Sequence, residues 1–556
     1  MPILRLRIVA AIIILNLLLL PLPGAVQSQR AIDVYAITNA RIVTVTGQTI
    51  EKGTVVLRNG LIAAVGADVS APADARVIDA TGLTVYPGLI DASTSLGIPE
   101  PSPSPSPSPG GGILQTPIRT TVTAAGVPNS SQPVGLQPEL RADDLIRPTG
   151  ADIEAARNAG ITLALTAPRA GIWMGQSALI ALAGETTQQM IVRSPVAMHV
   201  GFTPLRGVYP GSLMGVIASL RQMLLDAQRY RESWQIYERS PRGIRRPEMD
   251  KSLAALIPVL EGRMPVIIEA DREREILRAL DLAEEFKLRA IIAGGHEAWK
   301  VSERLRSRDV PILLSLNLPK RTTVAMREAD PEPLRILRER VQAQQNAGKL
   351  AANKVRFAFQ SGGLTNISDF LVNARKTIEQ GLAREDALRA MTIWPAEILG
   401  VSNQLGSVET GKIANLTVVR GDLFESNTQL AYVFIDGRPI ERRPSTTTPD
   451  GRINVAGAWL LSINLGLGEM AATIVFTQEG EQLRGSLQGS LGAAEIASGS
   501  LSVSGEVRFT VAVNVEGQTK EATFNGTVIG DELRGTVNIE GRSPGSFTAS
   551  RPRGIP

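Results

Sequence analysis

The chain has no cysteine in its 556 residues, so disulfides, thiolate zinc sites, a cysteine nucleophile and a lipid-anchored cysteine are all excluded. It has two histidines, His199 and His296, which leaves little imidazole for a metal centre. Aromatic residues make up 4%, too few for a base-stacking platform. The formal charge is only +4, and Lys and Arg form no basic stripe, so no nucleic-acid partner is expected. Long apolar runs are scarce as well. The one candidate is at the N-terminus, where Arg5 and Arg7 precede a short apolar run over 8–20 that Asn16 interrupts and Pro21 and Pro23 end. Val26 and Ser28 supply small residues for cleavage, and the run is too short to span a bilayer comfortably. Residues 1–28 are therefore read as a secretory signal peptide and the mature protein as exported, periplasmic or extracellular. Membrane contact is expected only through an uncleaved signal.

The length calls for two or three domains, and 43% hydrophobic residues can fill their cores. Residues 35–46 and 53–66 are β-branched and apolar, and Asn59-Gly60 between alternating runs predicts a hairpin. After a short strand over 76–79 comes the stretch 84–97, Thr-Val-Tyr-Pro-Gly-Leu-Ile-Asp-Ala-Ser-Thr-Ser-Leu-Gly. Its β-rich run, Pro-Gly turn and second apolar run predict a chain leaving a peripheral sheet for the first strand of a barrel. A Ser-Pro repeat ending in three glycines, over 99–112, opens a Pro/Ser/Gly-rich insertion (99–140) read as extended and solvated. From residue 143 helices and strands alternate. Strands are expected over 161–165, 176–182, 195–200, 265–270, 288–293, 310–316 and 356–361, with helices between most of them. Such alternation predicts parallel strands and an α/β fold, a (β/α)8 TIM-like barrel over 87–400. From residue 451 to 556 the chain is Gly-rich and all-β, with strands expected over 458–465, 471–478, 482–487, 506–513, 521–529, 532–539 and 546–550. Gly480-Glu-Gln-Leu-Arg-Gly is echoed by Gly530-Asp-Glu-Leu-Arg-Gly, which suggests a small antiparallel barrel.

Pro87, Gly88, Leu89, Ile90 and Asp91 resemble the first barrel strand of the amidohydrolase superfamily, metal-dependent hydrolases, in its imidazolonepropionase-like branch. Residues 383–400, ending Trp-Pro-Ala-Glu-Ile-Leu-Gly, and the run after Leu405 are similar to that superfamily's C-terminal signature. The resemblance implies a β-sandwich built from both flanks, 29–86 with 401–445, beside the barrel. It also implies hydrolysis of C–N bonds other than ordinary peptide bonds by a metal-activated water, with zinc as the family's usual divalent metal. At the positions that carry this chemistry in the family the residues differ. Ser93 and Ser95 stand at the His-x-His pair, and serine hydroxyls are poor transition-metal ligands. Glu269 stands where a strand usually ends in His, with Asp271 nearby. Gly294 falls at a ligand position, with His296 two residues on, and Gly362 follows Ser361 where the family has its catalytic Asp. Asn415 replaces a usual Asp at a structural position.

The expected metal ligands are thus degenerate, and no resident cofactor is expected. The candidate catalytic residues at the barrel mouth are Ser93, Ser95, Glu269, His296 and Ser361. Asp91, Glu269 and Asp271 could supply an all-oxygen metal site, and Ser93 with His296 and a carboxylate a hydrolytic triad. His199 is read as a buried, hydrogen-bond-satisfied histidine. Three functions stay open: a C–N hydrolase, a non-catalytic ligand-binding or scaffold protein, and a metal-independent hydrolase using Ser93 and His296. The expected partner is a small-molecule or short-peptide-like ligand at the mouth, and an oligomer is compatible with the sequence.

Overall fold

The Pro87-Gly88 turn joins two bodies, and its chemistry is visible in its contacts. Strand Leu83–Pro87 runs antiparallel to Leu416–Arg420, with Leu416 opposite Pro87, so the chain after the barrel seals the sheet that preceded it. The Gly88 N–H donates to the Asn415 carbonyl at 2.7 Å, and Asn415 Oδ1 accepts from the Asp436 N–H at 2.8 Å. Asn415 is therefore a connector between strands. A Cβ on Gly88 would run into the Thr162 side chain of the neighbouring barrel strand, so only glycine fits where sheet becomes barrel.

In this computed structural model the described residues are 34–99, 130–205, 209–319, 334–426, 428–440, 454–464, 469–489, 492–502, 505–515, 518–529, 532–539 and 545–551. The segment expected to be a signal peptide and most of the Ser-Pro insertion lie outside them. The peripheral sheet has eight strands, five from before the barrel and three from after it, and encloses its own core of Ile37, Ile42, Val55, Leu57, Val85, Leu416, Val418 and Phe434. Asn59 (φ +52°) and Gly60 (φ +81°) form the predicted hairpin turn between Ile50–Arg58 and Leu61–Gly66.

The barrel wall has eight staves in chain order: Leu89–Thr94; Ile161–Thr166; Trp173–Gln176 continued by Ala178–Ala181; Ile191–Arg193 continued by Met198–Gly201; Val266–Ala270; Ala290–Gly294; Ile312–Ser315; and Phe357–Gln360. The sequence pattern predicts parallel strands throughout, but the third stave is antiparallel to both neighbours. The reason is the connection from Thr166 to Trp173, a tight turn through Ala167-Pro168-Arg169-Ala170-Gly171-Ile172 that is too short for a crossover helix. That turn sits at the C-terminal end of the second stave, the barrel mouth, where sites of this architecture form. The last stave meets the first through a wedge: the Phe359 N–H donates to Ala390 O at 2.9 Å and the Ile90 N–H to Met391 O at 2.8 Å. Ile267, Ile291, Leu313 and Phe357 of the staves are buried in the core of the barrel.

The C-terminal region is a closed barrel of eight antiparallel strands, Gly457–Asn464 through Gly545–Ser550. Sequence reasoning finds seven of them and misses Gly492–Leu501, whose Gly, Ala and Ser content hides its strand character. Its interior is filled by Trp459, Phe476, Phe509, Phe524 and Phe547, with Phe509 stacked on Phe524 at 4.6 Å. The echoed glycines serve one purpose: a Cβ on Gly485 would strike the Val475 carbonyl, and one on Gly535 the Asn525 carbonyl, so each lets two strands pass closely. Among the described residues no helix is long and apolar enough to cross a membrane.

Candidate active site at the barrel mouth

Asp91 on the first stave is fully buried. Its carboxylate accepts the Ser361 N–H at 2.8 Å, the Ser361 hydroxyl and, more loosely, the Ser93 N–H at 3.4 Å. Burial pushes its pKa up to about 6; the bonds from Ser361 and Ser93 and the charge of Arg169 oppose the rise without cancelling it. Asp91 closes the barrel by tying the last stave to the first, so it is not available as an oxygen ligand. Ser93 is nearly buried, and its carbonyl accepts from Arg169 Nη2 at 3.4 Å. Ser95 and Ser361 line a mouth cavity of about 720 Å³.

Glu269, on the fifth stave, projects into the open mouth. Solvent reaches it, yet the surrounding wall desolvates it enough to raise its pKa; Arg169 pulls the other way and Asp271 adds to the rise. His296 Nδ1 lies 2.7 Å from Asp271 Oδ1 and Nε2 lies 3.1 Å from the Asn317 carbonyl. Both partners are acceptors, so the two bonds are made together only when both ring nitrogens carry protons, and the arrangement favours the imidazolium form. Burial alone would lower its pKa; the bond and charge of Asp271 and the Asn317 carbonyl outweigh burial and raise it. With both nitrogens engaged by Asp271 and Asn317, the ring offers no free lone pair to a metal or a substrate. The triad expected from Ser93 and His296 is thus not assembled, because both nitrogens of His296 are engaged elsewhere. The all-oxygen set is not assembled either, since Asp91 serves Ser361 and Asp271 serves His296. Among the described residues no three of His, Asp and Glu converge to hold a metal ion.

Gly294, at an expected ligand position, and Gly362, where the catalytic Asp is expected, explain why. A side chain on Gly294 (φ +97°) would run into the Asp271 carboxylate, and one on Gly362 into Arg169 Nη2 and Gln360 Oε1. Charged groups delivered from other elements already occupy that space. The described residues at this mouth do not fit a divalent metal.

Two residues of the mouth are ones that sequence reasoning misses or misreads. Arg169 comes from the tight turn after the second stave, and its charge acts on Asp91, His199 and Glu269 alike. The Pro-Arg-Ala-Gly turn between two strand runs is the signal that would have found it. His199 is buried as expected but not satisfied: Nε2 has no hydrogen-bond partner. It shares its register with Ile267, as Gly201 does with Glu269, so it faces the same side of the wall as Glu269. Burial, with the charge of Arg169 adding, depresses its pKa to about 3, so the ring is neutral. By contrast, Arg221 on the long helix Leu213–Arg239 pairs with Glu285 on a solvated face.

Residues 332–440, spanning the last barrel elements and the returning sheet strands, match the model of the amidohydrolase family. An amidohydrolase from Thermotoga maritima MSB8 superposes with a TM-score of 0.61 over 74% of this chain and 100% of that one, at 24% identity. The fold is an amidohydrolase fold. The resemblance carried by residues 87–91 and 383–400 is thereby borne out, as is the barrel with its flanking sheet. The N-acetylglucosamine-6-phosphate deacetylase of Haemophilus influenzae is 35% identical over 78 residues, 14% of this chain. The chain spans about a fifth (19%) of that relative's length.

Proposed function

We propose that this is an exported member of the amidohydrolase hydrolases whose ancestry lies in C–N bond hydrolysis and whose barrel mouth binds a small ligand without metal-dependent turnover. One observation carries the reading: Asp271 and Arg169 fill the space above Gly294 and Gly362, and both ring nitrogens of His296 are engaged by Asp271 and Asn317. Kinship with hydrolases supports the inherited chemistry, and the basic flank and apolar run of residues 5–20 support export. The test is the metal content of purified mature protein by mass spectrometry, with amide and urea hydrolysis assayed with and without chelator. Folded protein with no stoichiometric metal and no chelator-sensitive turnover is expected. About one equivalent of zinc together with chelator-sensitive hydrolysis would sink the proposal.

A second reading, metal-independent hydrolysis, has one observation in its favour. The Ser361 hydroxyl is bonded to Asp91, whose pKa near 6 suits a proton acceptor, and Ser361 lines the cavity. Chelator-resistant turnover that disappears in Ser361→Ala would establish it.

A further inference from the structure

The mouth cavity of about 720 Å³ is of the size that holds a small organic molecule. Its charged lining consists of Arg147, Arg169 and Asp152. Neither arginine forms an ion pair among the described residues; the side chain of Arg169 makes only the long bond to Ser93 O. Asp152 is committed to the chain, accepting the Gly97 N–H at 2.9 Å. The Asp91 carboxylate is sealed beneath Ser361 and does not face the cavity. Among the side chains lining the cavity the balance is therefore two cations against one engaged carboxylate; Glu269 lies in the same mouth outside this lining, within the field of Arg169. Hydroxyls and an amide (Ser95, Thr149, Asn366) and an apolar side (Ile98, Leu364) complete the lining. The guanidinium of Arg169 is held where a side chain of residue 362 would otherwise project, and the turn from the antiparallel third stave delivers it there.

From this arrangement we infer that the cavity is a receptor for a small organic carboxylate, its anionic group gripped by Arg169 with Arg147 and its apolar part lying against Ile98 and Leu364. The inference rests on the ligand-binding reading above and names the ligand class. A guanidinium presents a planar fork of donors matched to a carboxylate, and a single net positive charge matches a monoanion better than a phosphate dianion.

The test uses the full mature protein and three probes at millimolar concentration: 3-phenylpropionate, its neutral amide 3-phenylpropionamide, and inorganic phosphate. Binding is read by thermal shift and calorimetry. The acid is expected to stabilise the protein, and the amide to bind roughly tenfold or more weakly, the loss of a charge-assisted bond. Arg169→Met should abolish the difference between acid and amide. Gly362→Ala keeps the charge but pushes the guanidinium aside, so it should weaken the acid selectively with little change in melting temperature; it guards against a folding defect in Arg169→Met. Equal binding of acid and amide, stabilisation by phosphate alone, acid binding retained in both variants, or no response to any probe would each overturn the inference. Metal content is measured on the same samples. Stoichiometric metal with chelator-sensitive turnover condemns the metal-free reading, whereas metal-free protein indifferent to the acid condemns only the carboxylate receptor.

Discussion

Asp91→Asn should stabilise the protein at neutral pH, although Asp91 belongs to the motif that opens the barrel. Its pKa rises from 3.8 to about 6 on folding, so the folded state disfavours the charged carboxylate. For a raised value, the stability contribution is fully present below the unfolded pKa and is lost as pH climbs through the folded one. A shift of about 2 units corresponds to about 3 kcal/mol lost between acid and neutral solution. Asparagine stands in for the neutral acid: its carbonyl still accepts the Ser361 N–H, and the Ser361 hydroxyl rotates to accept from the amide. Losing the charge-assisted character of these bonds costs about 1 kcal/mol, which leaves the variant ahead by about 1–2 kcal/mol near pH 8 and level or slightly behind near pH 4. Paired calorimetric unfolding of the two proteins across this range is the assay. The difference between them cancels the opposite trend of His199, whose depressed pKa removes stability as pH falls from about 6.5 toward 3 in both proteins. A variant that is less stable by the same amount at every pH would refute the reasoning, because the charged carboxylate would then be a net asset to the fold.

Three further outcomes follow from the geometry. Gly294→Ala should cost about 2–4 kcal/mol, combining a left-handed backbone with a clash against Asp271, and a melting temperature like that of the parent would contradict it. Asp271→Asn should lower the pKa of His296 as followed by NMR titration, and an unmoved titration would remove Asp271 as the cause of the raised value. Gly535→Val should destabilise the C-terminal barrel by about 2 kcal/mol or more, seen as an earlier calorimetric transition, because its side chain meets the Asn525 carbonyl; an unchanged transition would argue against the close strand approach.

The parts of the fold legible in the sequence are those whose reasons are local. Pro87-Gly88 and Asn59-Gly60 announce turns because few other residues adopt those geometries, and the alternation of apolar runs reveals the staves. The third stave was legible in principle: six residues from Thr166 to Trp173 cannot carry a parallel crossover, yet the rhythm of helix and strand masks that count. Gly492–Leu501 has too few β-branched residues to register as a strand, and only the closing of the barrel demands it. At the mouth, Ser93, Gly294 and Gly362 show which side chains are missing but not what replaces them. Arg169 bonds to a carbonyl 76 positions away in sequence, and no local pattern reports such a meeting. The raised pKa of His296 depends likewise on Asp271 and Asn317, brought together by three neighbouring staves.

The residues present at the mouth also determine what introducing a metal-ligand set there would do. Loss of a histidine or carboxylate from a buried site leaves the groups it had balanced without partners, which is costly unless another charge moves in. Here other charges stand in that place: Asp271 faces His296, and Asp91 and Glu269 lie within the field of Arg169. Restoring the family's residues alone, as Ser93→His, Ser95→His and Gly362→Asp, should therefore fail to recruit zinc. The new carboxylate at 362 would meet Arg169 and pair with it, removing its lone pairs from any cation. Adding Arg169→Ala to the three should raise zinc uptake, because it frees that carboxylate and takes a positive charge out of the mouth. Metal content after dialysis against zinc distinguishes the two proteins. Stoichiometric zinc in the triple variant with Arg169 still present would show that the guanidinium does not hold the position assigned to it, and the carboxylate receptor would fall with it.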